Sequence, residues 1–139
     1  MSNDFVLLKL EKPSKFKSVK LAAADGSAIK VGEWATASGW GRTNEYGTTS
    51  YGLQHVKLRL ISNEECSRAI KSDETVTCAG GLGASPCYGC PLVKESADVD
   101  DVLLGLVSWG DTCVRDGTPT AFAIVSRVRA WIESITSVL

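Results

Sequence analysis

With 139 residues, 44% of them hydrophobic and 22% charged, the chain has the size and balance of one folded domain with a core of its own. Fifteen basic against sixteen acidic side chains give a formal net charge of −1, with the two signs scattered, which argues against a nucleic-acid-binding surface. The longest apolar runs, such as residues 102–107, are too short to cross a bilayer, and residues 1–4 are not followed by a basic and then an apolar stretch, so no secretory leader is read in this sequence.

Residues 4–10 (Asp-Phe-Val-Leu-Leu-Lys-Leu) read as a mostly buried strand stopped by Lys12-Pro13. Residues 14–30 are basic and small, with a turn at Asp25-Gly26, and read as a surface connection. Residues 33–41 alternate as a half-buried strand, with glycines where backbones approach closely, and the polar, glycine-rich residues 44–52 form a loop. In Val56-Lys57-Leu58-Arg59-Leu60 the alternation is strict, apolar in and cationic out, which predicts a strand. Ser62 and Glu65 then fit a capping box that opens a short helix to about Ile70. Residues 75–79, 102–109 and 121–125 read as further strands. Val128, Trp131, Ile132, Ile135, Val138 and Leu139 share one helical face while Arg127, Arg129 and Glu133 fall off it, so the chain is expected to end in an amphipathic helix capped by Ser126.

Five cysteines leave one over from any set of pairs. The single histidine, His55, is far in sequence from Cys78, Cys87 and Cys90, which disfavours a metal site. The Cys-x-x-Cys of Cys87 and Cys90 lacks the βαβ setting of a redox motif. Disulfides are the preferred reading, and no cofactor or metal is expected.

Several motifs in this order carry a resemblance. Asn3-Asp4-Phe5-Val6-Leu7-Leu8-Lys9-Leu10, Ser38-Gly39-Trp40-Gly41, Cys78-Ala79-Gly80-Gly81, Val107-Ser108-Trp109-Gly110 and Val128-Arg129-Ala130-Trp131-Ile132 resemble, in sequence order, successive motifs of the trypsin/chymotrypsin-like serine proteases. The resemblance runs almost from end to end. It implies an all-β fold: a chymotrypsin-like antiparallel β-barrel with a C-terminal α-helix. Residues 1–30 would be the end of the first barrel and the crossing segment, and residues 31–139 the second barrel and helix, so the domain is expected to be N-terminally truncated.

The chemistry implied by that family needs a serine nucleophile, a histidine base, an aspartate that orients it, and backbone N–H groups for the oxyanion. Asp4 matches the aspartate and is the one triad position retained. No histidine matches the base, since His55 heads the strand at 56–60, where the family has no catalytic group. The nucleophile motif reads Cys-x-Gly-Asp-Ser-Gly-Gly-Pro in the family, whereas here Cys87-Tyr88-Gly89-Cys90-Pro91-Leu92-Val93 has only Cys90 where the family has four residues. Serine, second oxyanion N–H and activation aspartate go together. Ser85 matches the floor of the specificity pocket, without the aspartate that selects Lys or Arg. The expectation is a protease homologue that cleaves nothing.

The same resemblance pairs Cys66 with Cys78 and Cys87 with Cys113, implying an oxidising compartment. Cys90 is the odd thiol, and a replacement nucleophile at that position would lack its base. The wording of residues 31–37 and 103–110 is similar to the oomycete branch of the family, and the degraded nucleophile loop points within it to the glucanase inhibitor proteins. That branch implies a secreted effector whose partner is a host plant endo-β-1,3-glucanase, with no nucleic-acid or membrane partner. Residues 44–52, 84–90 and 111–117 are the candidate contact loops. The alternatives are a protease fragment and a remnant of a duplicated protease gene.

Overall fold

A computed structural model of the chain describes residues 4–42, 48–80, 90–97, 100–110 and 118–137. Seven strands and two helices follow in the order β1 (Lys20–Leu21), β2 (Trp34–Gly39), β3 (Gln54–Ile61), α1 (Asn63–Ala69), β4 (Val76–Gly80), β5 (Pro91–Lys94), β6 (Val102–Trp109), β7 (Pro119–Ile124) and α2 (Val125–Thr136). The ladder runs β6-β5-β2-β3-β4-β7, every pairing antiparallel, and β7 returns to β6. Six strands thus close into a barrel, as the sequence led us to expect. The two-residue β1 lies outside that ring, parallel to Val102 and Leu103 of β6, where β7 has already left the sheet to become α2.

Period-2 patterning fills the barrel. Ala35 and Ala37 of β2 face Leu58 and Val56 of β3. Leu58, Leu60, Leu92, Leu104 and Phe122 are at most 1% exposed and meet Ala22, Ala79, Cys90 and Val125 in one core. A second cluster lies under α1: Ile61, Cys66, Ile70, Val76, Cys78 and Ala121, with Trp109 packed against it. The barrel closes tightly at Gly105. A Cβ there would sit 2.7 Å from the Ala123 carbonyl oxygen, so β6 and β7 approach as closely as they do because that side chain is missing.

The short helix is built as its sequence suggests. Ser62 Oγ accepts from Glu65 N–H at 3.0 Å, which satisfies one of the helix's otherwise orphaned donors. The Glu65 carboxylate turns to Arg59 on β3 at 3.5 Å. Cys66 of α1 is disulfide-bonded to Cys78 of β4, with their Cα atoms 5.8 Å apart.

Three expectations are corrected. Residues 4–10 form no strand: Val6, Leu8 and Leu10 are 73%, 81% and 65% exposed, and only Phe5 packs on the core. A strand needs an edge to pair with: β6 and β7 close the barrel, and the stretch of β6 that β7 leaves open, Val102 and Leu103, is taken by β1. Ser126 is not the cap of α2. The helix starts at Val125, Ile124 occupies the cap position without a side-chain bond, and Ser126 is buried in the first turn. Ile124 N–H bonds to Thr75 O and the next residue, Val125, enters the core, so packing sets the start of this helix. Trp131 is 40% exposed, while Arg129 is half-buried and donates to the Leu21 carbonyl at 3.1 Å. The guanidinium outweighs its helical-wheel position because β1 ends on carbonyls that need donors. Val138 and Leu139 lie outside the described residues.

Candidate functional site

The rim that a protease would use is traceable from three places: Asp4, the start of β5 at Cys90, and the end of β6 at Ser108 and Trp109. Asp4 precedes the unpaired segment and is exposed, and its carboxylate is held by Ser108, whose Oγ donates to Asp4 Oδ2 at 2.7 Å. This bond ties the N-terminal segment to β6. His55 is elsewhere. It stands on β3 opposite Ser38, with β2 and β5 between it and β6.

Cys90 enters β5 in register. Its carbonyl accepts from Val107 N–H at 2.9 Å, and the ladder continues through Pro91 opposite Leu106. The side chain does not reach the rim. It is 4% exposed in the main core, against Gly39 at the end of β2, where a Cβ would stand 2.5 Å from Cys90 Sγ. Burial pushes the thiol's pKa up. A nucleophilic cysteine needs the opposite, an accessible thiolate with a nearby base or cation. The site therefore has an anchored loop end where a nucleophile would be displayed.

Trp109 leans into the second cluster, and its Nε1 is buried without an acceptor among the described residues. Cys87, Cys113 and Ser85 lie outside those residues, as do residues 44–47, 84–89 and 111–117 of the three candidate loops. Of the positions picked out from sequence, the structure brings Asp4 to Ser108 and Cys66 to Cys78, and sends Cys90 inward. Ser108 as the holder of Asp4 was not singled out. Its place in Val107-Ser108-Trp109-Gly110 gave no sign that its hydroxyl faces a residue 104 positions away.

Away from this rim, an open depression of about 340 Å³ is lined by Lys17, Ser18, Val19, Ser96, Asp100 and Asp101. Lys17 and Lys20 both pair with Asp100, the latter at 3.0 Å, which fastens the connection before β1 to the start of β6. Hydrogen bonds from Lys17 and then Lys20 hold the Asp100 carboxyl below the usual carboxylate range. Among the described residues no group of three or more His, Cys, Asp or Glu side chains could hold a metal ion.

A closed antiparallel barrel carrying a C-terminal helix, with an aspartate held at its rim by a serine of β6, is a chymotrypsin-like barrel. The trypsin family model matches residues 1–132, and the chain belongs to the trypsin family. It is 49% identical to glucanase inhibitor protein 2 of Phytophthora infestans over 96% of this chain and 55% of that protein. It is 48% identical to glucanase inhibitor protein 2 of Phytophthora sojae over 95% of this chain and 48% of that protein. A glucanase inhibitor protein 3 of Phytophthora sojae is 40% identical over 93% of this chain and 98% of its own length. The chain spans about half the length of the two inhibitor-2 proteins and nearly all of the third.

Proposed function

We propose that the protein is a secreted, catalytically inactive protease homologue that inhibits host plant endo-β-1,3-glucanases, suppressing elicitor release and plant defence. One combination carries the reading. A trypsin-family chain with a single residue in place of the four-residue nucleophile motif is 40–49% identical to proteins named as glucanase inhibitors. Losing those residues removes the attacking hydroxyl and one oxyanion donor at once, which no single substitution restores. Cys90 is no substitute, being buried with a raised pKa.

The barrel then contributes binding without turnover. A protein that covers a glucanase cleft blocks its polysaccharide substrate by exclusion and needs no reacting group of its own. The Cys66–Cys78 disulfide fits the oxidising compartment that a secreted effector passes through. A second bridge, Cys87 to Cys113, belongs to the same proposal, as does the division into residues 1–30 from a first barrel and crossing segment and 31–139 as the second barrel and helix. Non-reducing peptide mapping tests the bridge.

The function is tested by titrating the purified protein into a plant endo-β-1,3-glucanase assay on soluble glucan. Dose-dependent inhibition is expected, together with no turnover of peptide esters by either the wild type or Cys90→Ser. If excess protein neither binds nor slows the glucanase, the inhibitor reading is wrong. Ester turnover that is lost in Cys90→Ser would instead make the protein an enzyme.

A further inference from the structure

The outward face of the β2–β3 ladder differs from the rest of the barrel. Directly opposed pairs on that side are Trp34 with Arg59, Thr36 with Lys57, and Ser38 with His55, Thr36 itself being buried. Beyond the last rung, Gly39 with Gln54, come Trp40 and Leu53, which are 59% and 57% exposed, and then the fully exposed Tyr51. Trp34, at the other end, is 56% exposed. The backbone here is ordered by bonds of its own: Ser50 N–H donates to Gly41 O at 3.1 Å, and Arg42 bridges to Thr49. The face therefore offers large apolar groups at both ends, with Lys57 and His55 exposed between them and Arg59 paired with Glu65.

Its charge is one-sided. The carboxylates in contact with these two strands are already matched: Glu65 by Arg59, and Glu33, just before β2, by Lys94. Lys57 is exposed and enters no ion pair among the described residues. Exposed tryptophan and tyrosine on a rigid scaffold are the residue types that dominate binding energy when a partner buries them. The exposed Lys57 between them, without an ion pair among the described residues, favours an acidic surface. The end of the face is tied to the start of β5, because its final inward residue, Gly39, packs directly on the buried Cys90.

We propose that this outward β2–β3 face is the surface that docks on the glucanase, with Lys57 and His55 presented to the acidic groups of its cleft and Trp40, Leu53 and Tyr51 packed on the cleft wall. The inference rests on the inhibitor reading above. The complementarity is chemical: glycoside hydrolases work with a pair of carboxyl groups flanking the scissile bond, so a glucanase cleft is an acidic groove. An aromatic ridge carrying the exposed Lys57 fits that groove and excludes the neutral glucan from it.

The test uses the purified protein with Lys57→Glu, Trp40→Ala and Tyr51→Ala, and Lys15→Glu as a charge-matched control on the connection leading to β1. Lys57 and Tyr51 belong to neither core cluster, so these two variants keep the fold, which circular dichroism and thermal melting verify. Glucanase affinity is read by surface plasmon resonance and by inhibition. Each of the three variants is expected to weaken binding by about tenfold or more, with the control unchanged. Lys57→Glu is also expected to slow association and flatten its dependence on salt. If the wild type inhibits and all three folded variants inhibit equally well, the docking face is wrong while the inhibitor reading stands. If the wild type itself does not bind, the inhibitor reading fails and takes this one with it. If the substitutions dissolve a wild-type dimer and leave inhibition unchanged, the face serves self-association and the proposal is overturned.

Discussion

At the scale of single residues, the contact between Cys90 and Gly39 fixes how the start of β5 is seated in the barrel. The thiol takes up space that a side chain at position 39 would need, and the Cys90 carbonyl still begins the β5–β6 ladder. Gly39→Ala should therefore be overpacked, costing about 1–3 kcal/mol of stability. Cys90→Ala alone should be mildly destabilising, through a small cavity. Together they should recover much of the loss, because the clash is with Sγ, while the Cys90 Cβ stands at an ordinary 3.7 Å. A double-mutant cycle in urea checks this. A coupling of about 1 kcal/mol or more is expected, and simple additivity would show that the two side chains do not share the space. None of this was legible in the sequence. The missing motif could be read off residues 87–93, but the fate of the one residue left depends on a neighbour 51 positions away.

Among the elements, the outcome depends on whether local pattern or a partner decides. Residues 56–60 declared their strand by strict alternation, and both neighbours of β3 were available to pair with it. Residues 4–10 have a strand's composition too, but no edge received them, and their leucines stand exposed. The two residues of β1 carry too little pattern to be seen and exist because the departure of β7 leaves part of β6 uncovered. Local chemistry was reliable where it is self-contained, as at Ser62. Ser62→Ala should remove the bond to Glu65 N–H and cost about 1 kcal/mol, while Ser62→Asp should retain most of it. Chemical denaturation of both variants distinguishes a capping role from a packing one. The clamp at Asp100 is also a prediction about an element. Its carboxyl is held below the usual range by Lys17 and Lys20, so its stabilising effect is present above the ordinary carboxylate pKa and fades as pH falls below about 4, through the folded-state value. At neutral pH, Asp100→Asn should raise amide exchange at Lys20 and Ala22, which bond to Asp101 and Leu103. The variant and the wild type should converge only once the pH has fallen through the depressed folded-state pKa of Asp100. Equal exchange at neutral pH would mean that the ladder alone holds β1.

For the whole molecule, the question is what keeps a small barrel with an exposed apolar segment folded. The main core is built largely of alanines and of four leucines from β3, β5 and β6, so the second cluster carries much of the remaining packing, and the Cys66–Cys78 bridge runs through it. The bridge fastens α1 to β4, the strand that lies between β3 and β7 in the ring. Cross-linking residues 12 apart restricts the unfolded chain and should contribute about 3 kcal/mol. Both cysteines are at most 1% exposed, so a reductant reaches them only when the molecule opens. Removing both partners, Cys66→Ala with Cys78→Ala, is therefore the cleaner experiment. The double variant should fold with the same circular dichroism and melt about 10 °C lower. Reduction of the wild type should be slow in the native state and should accelerate with urea in step with global unfolding. Fast reduction in native buffer, with no change in melting temperature, would mean that the bridge does not contribute to holding the barrel together.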